Sequence, residues 1–351
     1  MQSLSYHIIG LMSGTSLDGL DIAFCSFEKV SDHWKFSILS AETIEYPEDL
    51  FENLKSAHLL SSFELRKLDV GLGHFFGLKT AEFISKNQLK PDLVASHGHT
   101  IFHKPDLGFS LQIGDGSSIS TYVDCPLVFD FRSKDVALGG QGAPLVPIGD
   151  QLLFAEYDAC INLGGFANIS YEADNRRIAY DICPVNFVLN HLARRLGFGF
   201  DRGGELARSG NIDISVLQKL NNLDFYFQKS PKSLGREWVE TNVLHLLQDL
   251  DARNALATFT EHIALQVSQI INQNHLQYVL FTGGGAKNNF LMQNISDNTQ
   301  AQIKIPSPEI IDYKEALIFA FLGLLRYRNE INVLSSVTGA KYDHSAGSIV
   351  I

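Results

Sequence analysis

Ile8-Ile9-Gly10-Leu11-Met12-Ser13-Gly14-Thr15-Ser16-Leu17-Asp18-Gly19-Leu20-Asp21-Ile22-Ala23-Phe24 is the stretch whose reading decides the fold. An apolar run enters a turn of Ser, Gly, Thr and Asp, and alternating apolar residues leave it. That pattern predicts a strand, a glycine-rich turn and a second strand. The turn carries backbone N–H groups, the hydroxyls of Ser13, Thr15 and Ser16, and the carboxylates of Asp18 and Asp21. Tight glycine turns form concavities that bind anions, and neighbouring carboxylates suit a hydrated Mg²⁺. An ordinary hairpin with a polar turn fits the same residues equally well.

The pattern recurs further along. Ala159–Tyr171 again reads strand, glycine turn (Gly164-Gly165) and strand, with a third strand over Arg177–Ile182 and a helix over Phe187–Leu196. The first copy continues the same way, with a third strand at Phe36–Ile44 and a helical region from Pro47 to Asn87. This order, occurring twice with negligible identity between the copies, is a topological repeat. A third glycine turn, Thr282-Gly283-Gly284-Gly285, follows the strand Tyr278–Phe281 and leads into a helix from Asn289. Glycines let the backbone approach a ligand, and a helix N-terminus favours negative charge, so this turn suits a nucleotide. It is neither a Walker A loop nor a GxGxxG fingerprint. Leu93–Ser96 reads as a short buried strand ending in a polar loop, Ser96–Thr100, and Tyr313–Arg326 as a final amphipathic helix.

With 351 residues, the chain is long enough for two domains. Their expected bounds are 1–130, completed by 327–351, and 131–326. A formal net charge of −11 leaves no basic excess for a general nucleic-acid or anionic-membrane surface. Cys25, Cys125, Cys160 and Cys183 stand far apart beside apolar runs, which reads as small core residues rather than metal ligands or disulfides. No window is apolar enough to span a bilayer, so the expected protein is soluble and cytoplasmic.

Several further motifs are collinear with the opening turn. They are Ser96-His97-Gly98-His99-Thr100, Gln112-Ile113-Gly114-Asp115, Asp130-Phe131-Arg132, and Gly139-Gly140-Gln141-Gly142-Ala143-Pro144. Asn162-Leu163-Gly164-Gly165, Thr282-Gly283-Gly284-Gly285-x-x-Asn288 and Glu315-Ala316 complete the set. From residue 8 to about 325 this ordered series resembles the anhydro-N-acetylmuramic acid kinases. The resemblance implies an α/β fold made of two actin-like (ribonuclease H-like) domains with a central cleft, as in the sugar kinase, heat-shock protein and actin superfamily. It implies a small-molecule substrate, 1,6-anhydro-N-acetylmuramic acid. With ATP, Mg²⁺ and water, this would be opened and phosphorylated on O6 in peptidoglycan recycling. A kinase for another amino sugar and a catalytically silent muropeptide sensor are the alternatives, and a homodimer is among the states left open.

Residue by residue, the resemblance makes Asp181 the base that deprotonates water; by spacing alone, a helix-capping Asp is the competing reading. Gly14, Thr15 and Ser16, flanked by Gly19 and Asp21, would cradle the β- and γ-phosphates, with Asp18 holding Mg²⁺ through water. Gly164 and Gly165 would form the opposing phosphate loop, and Gly283, Gly284, Gly285 and Asn288 the adenosine side. His97, Arg132, Gln141 and Glu315 are the candidates for the sugar. Arg132 could meet a carboxylate of the substrate or make a salt bridge with Asp130 or Asp135. Glu315 could bind a sugar hydroxyl or lie on a solvated helix face near Lys314 or Arg326. Zinc at His97, His99 and His103 is disfavoured, because no carboxylates of regular spacing lie nearby. One segment departs from the family's commonest Asp-x-Gly-Pro-Gly-Asn. Here Asp181-Ile182-Cys183-Pro184-Val185-Asn186 lacks both glycines, and Val185 resists positive φ, so the local backbone is expected to differ.

Overall fold

A computed structural model describes residues 5–31 and 33–351, which divide into two units, 1–153 with 313–351 and 154–312. The first unit's sheet contains β1 (Ser5–Ser13), β2 (Leu20–Val30), β3 (His33–Ile44), β4 (Leu93–Lys104), β5 (Phe109–Ile113), β6 (Leu127–Phe129) and β12 (Ser348–Val350). Its order is β12-β6-β4-β1-β2-β3, with β5 hairpinned onto β4. The β1, β2 and β3 strands form an antiparallel meander, and β4 and β6 add parallel strands beyond β1.

The second unit repeats this plan with β7 (Ala159–Leu163), β8 (Phe166–Ala173), β9 (Arg176–Pro184), β10 (Tyr278–Thr282) and β11 (Gln302–Lys304). Its order is β11-β10-β7-β8-β9, again an antiparallel meander extended by two parallel strands. Both units thus share one strand order, an antiparallel meander extended by parallel strands, as expected for two ribonuclease H-like domains.

β1 is a continuous buried run from Ile8 to Ser13 because helices cover both faces of its sheet. One face packs on the Ser62–Asn87 helix through Leu72, Phe76 and Phe83. Ser61 caps that helix by accepting from the Glu64 N–H at 3.3 Å, and Gln88 ends it in the left-handed conformation. The other face receives the Pro308–Tyr327 helix, whose Phe321 ring lies 5.3 Å from Phe27 and 5.2 Å from Trp34. The second unit's core joins Ile161, Leu163 and Phe281 of its sheet to Phe259, Ile263 and Val267 of the Ala252–Gln273 helix.

Four expectations change. The units divide at 153/154 and 312/313 rather than at 130 and 326, because the Val146–Leu153 helix packs with β3 and residues 313–326 pack on β1 and β4. Ser96–Thr100 is not a loop: β4 continues through it by pairing with β5, His99 opposite Ile113 and Thr100 opposite Gln112. The helical region 47–87 is broken, since helices Glu48–Ser56 and Ser62–Asn87 are separated by a 3₁₀ turn, Ala57–Leu59, and by Leu60 and Ser61. The last helix is buried nearly all round from Ala316 to Leu325, so it is a core helix and not an amphipathic one. All four cysteines are free thiols, and Cys25, Cys160 and Cys183 are buried. Among the described residues, no helix is long and apolar enough to cross a membrane.

Candidate active site

In the first unit the turn between β1 and β2 is closed by the Leu17 N–H donating to the Gly14 carbonyl at 3.2 Å. Thr15, Ser16 and Asp18 are exposed at its tip. Space beside Gly14 is open, the nearest atom to a Cβ there being Ser16 Oγ at 3.4 Å. Gly19 differs: its φ of +145° and the Ile44 carbonyl, 2.5 Å from where a Cβ would lie, make it a packing glycine against the end of β3. Asp21, on β2, accepts from Thr43 Oγ1 at 2.6 Å.

Behind the turn lies a chain of buried polar groups. Tyr46 donates its hydroxyl to Ser13 Oγ at 2.6 Å, and Ser13 in turn meets His99 Nδ1 at 2.8 Å. Burial lowers the His99 pKa to about 4, so its ring is neutral. Tyr46 was not singled out by sequence, since nothing local marks a residue whose partner is 33 positions away.

His97 and Arg132 meet directly. The guanidinium donates from Nε at 3.2 Å and Nη2 at 2.9 Å to His97 Nε2, and from Nη1 to the Gly142 carbonyl at 2.7 Å. A ring nitrogen facing a guanidinium must offer its lone pair, so the proton sits on Nδ1, which donates to the Gly98 carbonyl at 2.8 Å. Burial, with the Arg132 charge adding to it, holds the His97 pKa well below the ordinary range. Burial lowers Arg132 to about 10, against the opposing fields of Glu315 and Asp135.

Arg132 makes no direct salt bridge to Asp130 or Asp135 among the described residues. Asp130 accepts from Ser133 Oγ at 2.6 Å, and Asp135 accepts from the Gly142 N–H at 2.6 Å and Thr338 Oγ1 at 2.7 Å. Asp135 thereby shapes the loop that carries Gln141. That residue's side chain is exposed, and its N–H donates to the Thr338 carbonyl at 2.8 Å. Glu315 is exposed by its surface area, yet desolvation by the protein around it raises its pKa. Arg132 and Lys314 oppose that shift and Asp21 reinforces it. Lys314 is turned away into a buried ion pair with Asp150 at 2.7 Å, so the neighbour considered for Glu315 serves another carboxylate. The structure thus brings Asp21, His97, Arg132 and Glu315 into one electrostatic neighbourhood of the first unit.

In the second unit the two glycine turns pack on one another. A Cβ on Gly283, whose φ is +79°, would lie 2.6 Å from Asn162 Oδ1, and one on Gly285 would lie 2.7 Å from Leu163 Cβ. Gly165 has nothing within 4 Å of a Cβ position, and Gly284 has only Asn186 Nδ2 at 3.6 Å. Each turn therefore keeps some backbone open to a ligand while its other glycines seal the protein. Asn288 is a helix cap, accepting from the Leu291 N–H at 3.0 Å for the Asn289–Asp297 helix; it is buried, with Gly204 packed against its side chain.

Asp181 lies within β9, not at its end, and does not cap the Asn186–Arg194 helix. The Gly164 and Gly165 carbonyls hold that helix start instead, accepting from the Val185, Asn186 and Phe187 N–H groups at 2.9–3.2 Å. Val185 sits at φ −131°, buried, so the chain turns here without the left-handed conformation that a glycine would supply. Asp181 Oδ2 accepts the Leu234 N–H at 2.8 Å; Oδ1 has no hydrogen bond among the described residues. Burial raises its pKa and the Leu234 bond opposes. Asp181 is thus a half-buried carboxylate with one of its two oxygens fixed by a backbone N–H.

The buried neutral imidazoles predict acid sensitivity. His262, fully buried, is lowered to about 3, and His99 to about 4. Their folded values lie below the unfolded 6.5, so the unfolded chain takes up protons first. Stability is full above about pH 6.5 and falls as pH drops toward these values, by up to about 1.4 kcal/mol per pH unit for each such group. Urea denaturation at pH 7, 6 and 5 checks this, and His262→Gln is expected to make the slope shallower.

The family model for anhydro-N-acetylmuramic acid kinase matches residues 6–351. Proteins of that name are similar throughout. The Francisella tularensis subsp. novicida protein is 34% identical over 365 residues, covering 95% of this chain and 96% of its own. The Sulfurovum protein is 33% identical, covering 98% of each chain. The Haemophilus influenzae protein is 32% identical, covering 98% of this chain and 97% of its own. The sheet order found twice, the three glycine turns and this end-to-end match agree, and the chain belongs to the anhydro-N-acetylmuramic acid kinase family.

Proposed function

We propose that this protein is an ATP-dependent kinase that opens 1,6-anhydro-N-acetylmuramic acid with water and delivers the phosphoryl group to O6, in peptidoglycan recycling. The observation that carries the reading is the family match over residues 6–351. Asp181 acts as the base: Oδ1 takes a proton from the water that bonds to the anomeric carbon, while the C1–O6 bond breaks and O6 becomes the phosphoryl acceptor. The Leu234 N–H keeps Oδ2 fixed so that Oδ1 is the oxygen presented.

ATP would supply the γ-phosphoryl group, its bond to the β-phosphate breaking as ADP leaves, and Mg²⁺ would neutralise phosphate charge. The residues fit both. Backbone at Gly14, Gly165 and Gly284 is open to a phosphate, and the Thr15 and Ser16 hydroxyls and the Asp18 carboxylate are exposed oxygen ligands of the hard kind Mg²⁺ takes, directly or through water. Arg132, with donors left after serving His97 and Gly142, suits the lactyl carboxylate of the sugar. Glu315, Gln141 and neutral His97 are the accompanying polar contacts.

Mass spectrometry of the product tests the reading. Incubation with ATP, Mg²⁺ and the anhydro sugar in ¹⁸O-water is expected to give a phosphate ester heavier than the phosphorylated anhydro sugar by one labelled water. A phosphate ester without that water points to an ordinary hydroxyl kinase, and binding without any product to a sensor.

A further inference from the structure

The segment from Lys229 to Gly235 runs alongside β9 and meets Asp181 twice. The Asp181 N–H donates to the Lys232 carbonyl at 3.1 Å, and the Leu234 N–H donates to Asp181 Oδ2 at 2.8 Å. The segment is therefore a short strap laid on the strand at the carboxylate. Lys232 ties it down: Nζ donates to the Phe225 carbonyl at 3.1 Å and lies 4.4 Å from the Phe225 ring centroid and 5.9 Å from that of Tyr180. Among the described residues no other side chain of the strap makes a hydrogen bond.

The anchor beneath is itself fixed. Phe225 belongs to the short turn Asp224–Phe227, whose Tyr226 donates its hydroxyl to His262 Nε2 at 2.8 Å. His262 Nδ1 donates in turn to Asn221 Oδ1 at 2.6 Å, and the imidazole is wholly buried. Phe225 and Tyr226 are further wedged against Trp238, with ring centroids 5.3 and 6.4 Å away. A rigid buried network thus presents a carbonyl and an aromatic face to one ammonium group, and both suit a cation.

We propose that Lys232 is a positioning residue for Asp181, pinning the strap so that the Leu234 N–H fixes Oδ2 and leaves Oδ1 aimed for the attacking water. This rests on the reading of Asp181 as the base. The ammonium touches neither the carboxylate nor any reacting atom; it acts through the backbone of residues 232–234. Losing the tie lets the carboxylate rotate and lowers turnover without loosening the sugar's own contacts, which other side chains make.

Steady-state assays with ATP, Mg²⁺ and 1,6-anhydro-N-acetylmuramic acid test it. Lys232→Met is expected to lower kcat about tenfold with the sugar KM within about twofold of the parent, as expected for a misaligned group. Lys232→Arg, which can still donate to the carbonyl and stack on the ring, is expected to restore most of the rate. In an Asp181→Asn background, Lys232→Met is expected to have no further effect on the residual rate. If the Met variant does not fold, as judged by its melt, Lys232→Gln takes its place with the same expectations. A kcat within about twofold of the parent, a change confined to KM, or an equal further loss in the Asp181→Asn background overturns the proposal. Asp181→Asn that turns over within about tenfold of the parent removes the base reading itself. An Asp181→Asn slowed about a hundredfold or more beside a fully active Lys232→Met removes the positioning role alone.

Discussion

Asp181→Asn is expected to lower kcat by about 10²–10⁴-fold, the range contributed by a positioned general base. An amide has the shape of the carboxylate and can still accept the Leu234 N–H, so the strand, the strap and the fold persist. What it lacks is the basic oxygen. The sugar KM is expected to stay within a few-fold of the parent, and the melting temperature to change little, because no charged partner is left stranded. The parent's own pH dependence follows from the same burial. The group must be ionised to accept a proton, and its pKa is raised from 3.8 by desolvation. Activity is therefore full at neutral pH and lost as pH falls through that raised value, so the acid limb of kcat/KM lies above the ordinary Asp range. The amide variant's residual rate is expected to lack this limb. Turnover within about tenfold of the parent would assign the base elsewhere.

Local patterns made the strands and turns legible. The apolar run Ile8–Met12, the turn residues after it and their recurrence at Ala159–Tyr171 and Tyr278–Gly285 mark strands and glycine turns by period and composition alone. What stayed hidden depends on partners distant in sequence. His97-Gly98-His99 has the composition of a loop, and is strand because His99 is flanked by Ser13 of β1 and Ile113 of β5. Arg132 points at a histidine 35 residues away rather than at the nearby aspartates. The strap is 53 residues from the carboxylate it holds, and it engages through backbone atoms that carry no side-chain signature. Val185 shows the limit from the other side. The loss of glycine was legible, but not that the chain would turn at φ −131° and be secured by the Gly164 and Gly165 carbonyls.

Gly10→Ala is expected to destabilise the first unit severely although the change adds one methyl group. Gly10 lies in the middle of β1, the strand at the centre of the sheet, paired with Ala23 on β2 and Ala95 on β4. A Cβ there would overlap the Ala316 carbonyl oxygen, with the Ala316 carbonyl carbon at 2.9 Å and Ala320 Cβ at 3.0 Å. These are backbone and first-carbon atoms of a buried helix, so no flexible side chain can swing aside. The same helix approaches the sheet again at Gly323, where a Cβ would overlap Ala95 Cβ. Strand and helix are thus held in contact at two points, and relief at one requires lifting the helix along its length. Overpacking in a core costs about 1–3 kcal/mol where neighbours can adjust; here the neighbour is main chain, so Gly10→Ala is placed at or above the top of that range and Gly10→Val beyond it. Lifting the helix also displaces Glu315 from Arg132, so the sugar KM should rise together with the loss of stability. Urea denaturation of Gly10→Ala, followed by sugar titration of the folded fraction, reads both effects. A midpoint matching the parent's would mean that the helix can retreat without cost, and the close approach would then not be what joins residues 313–351 to the sheet.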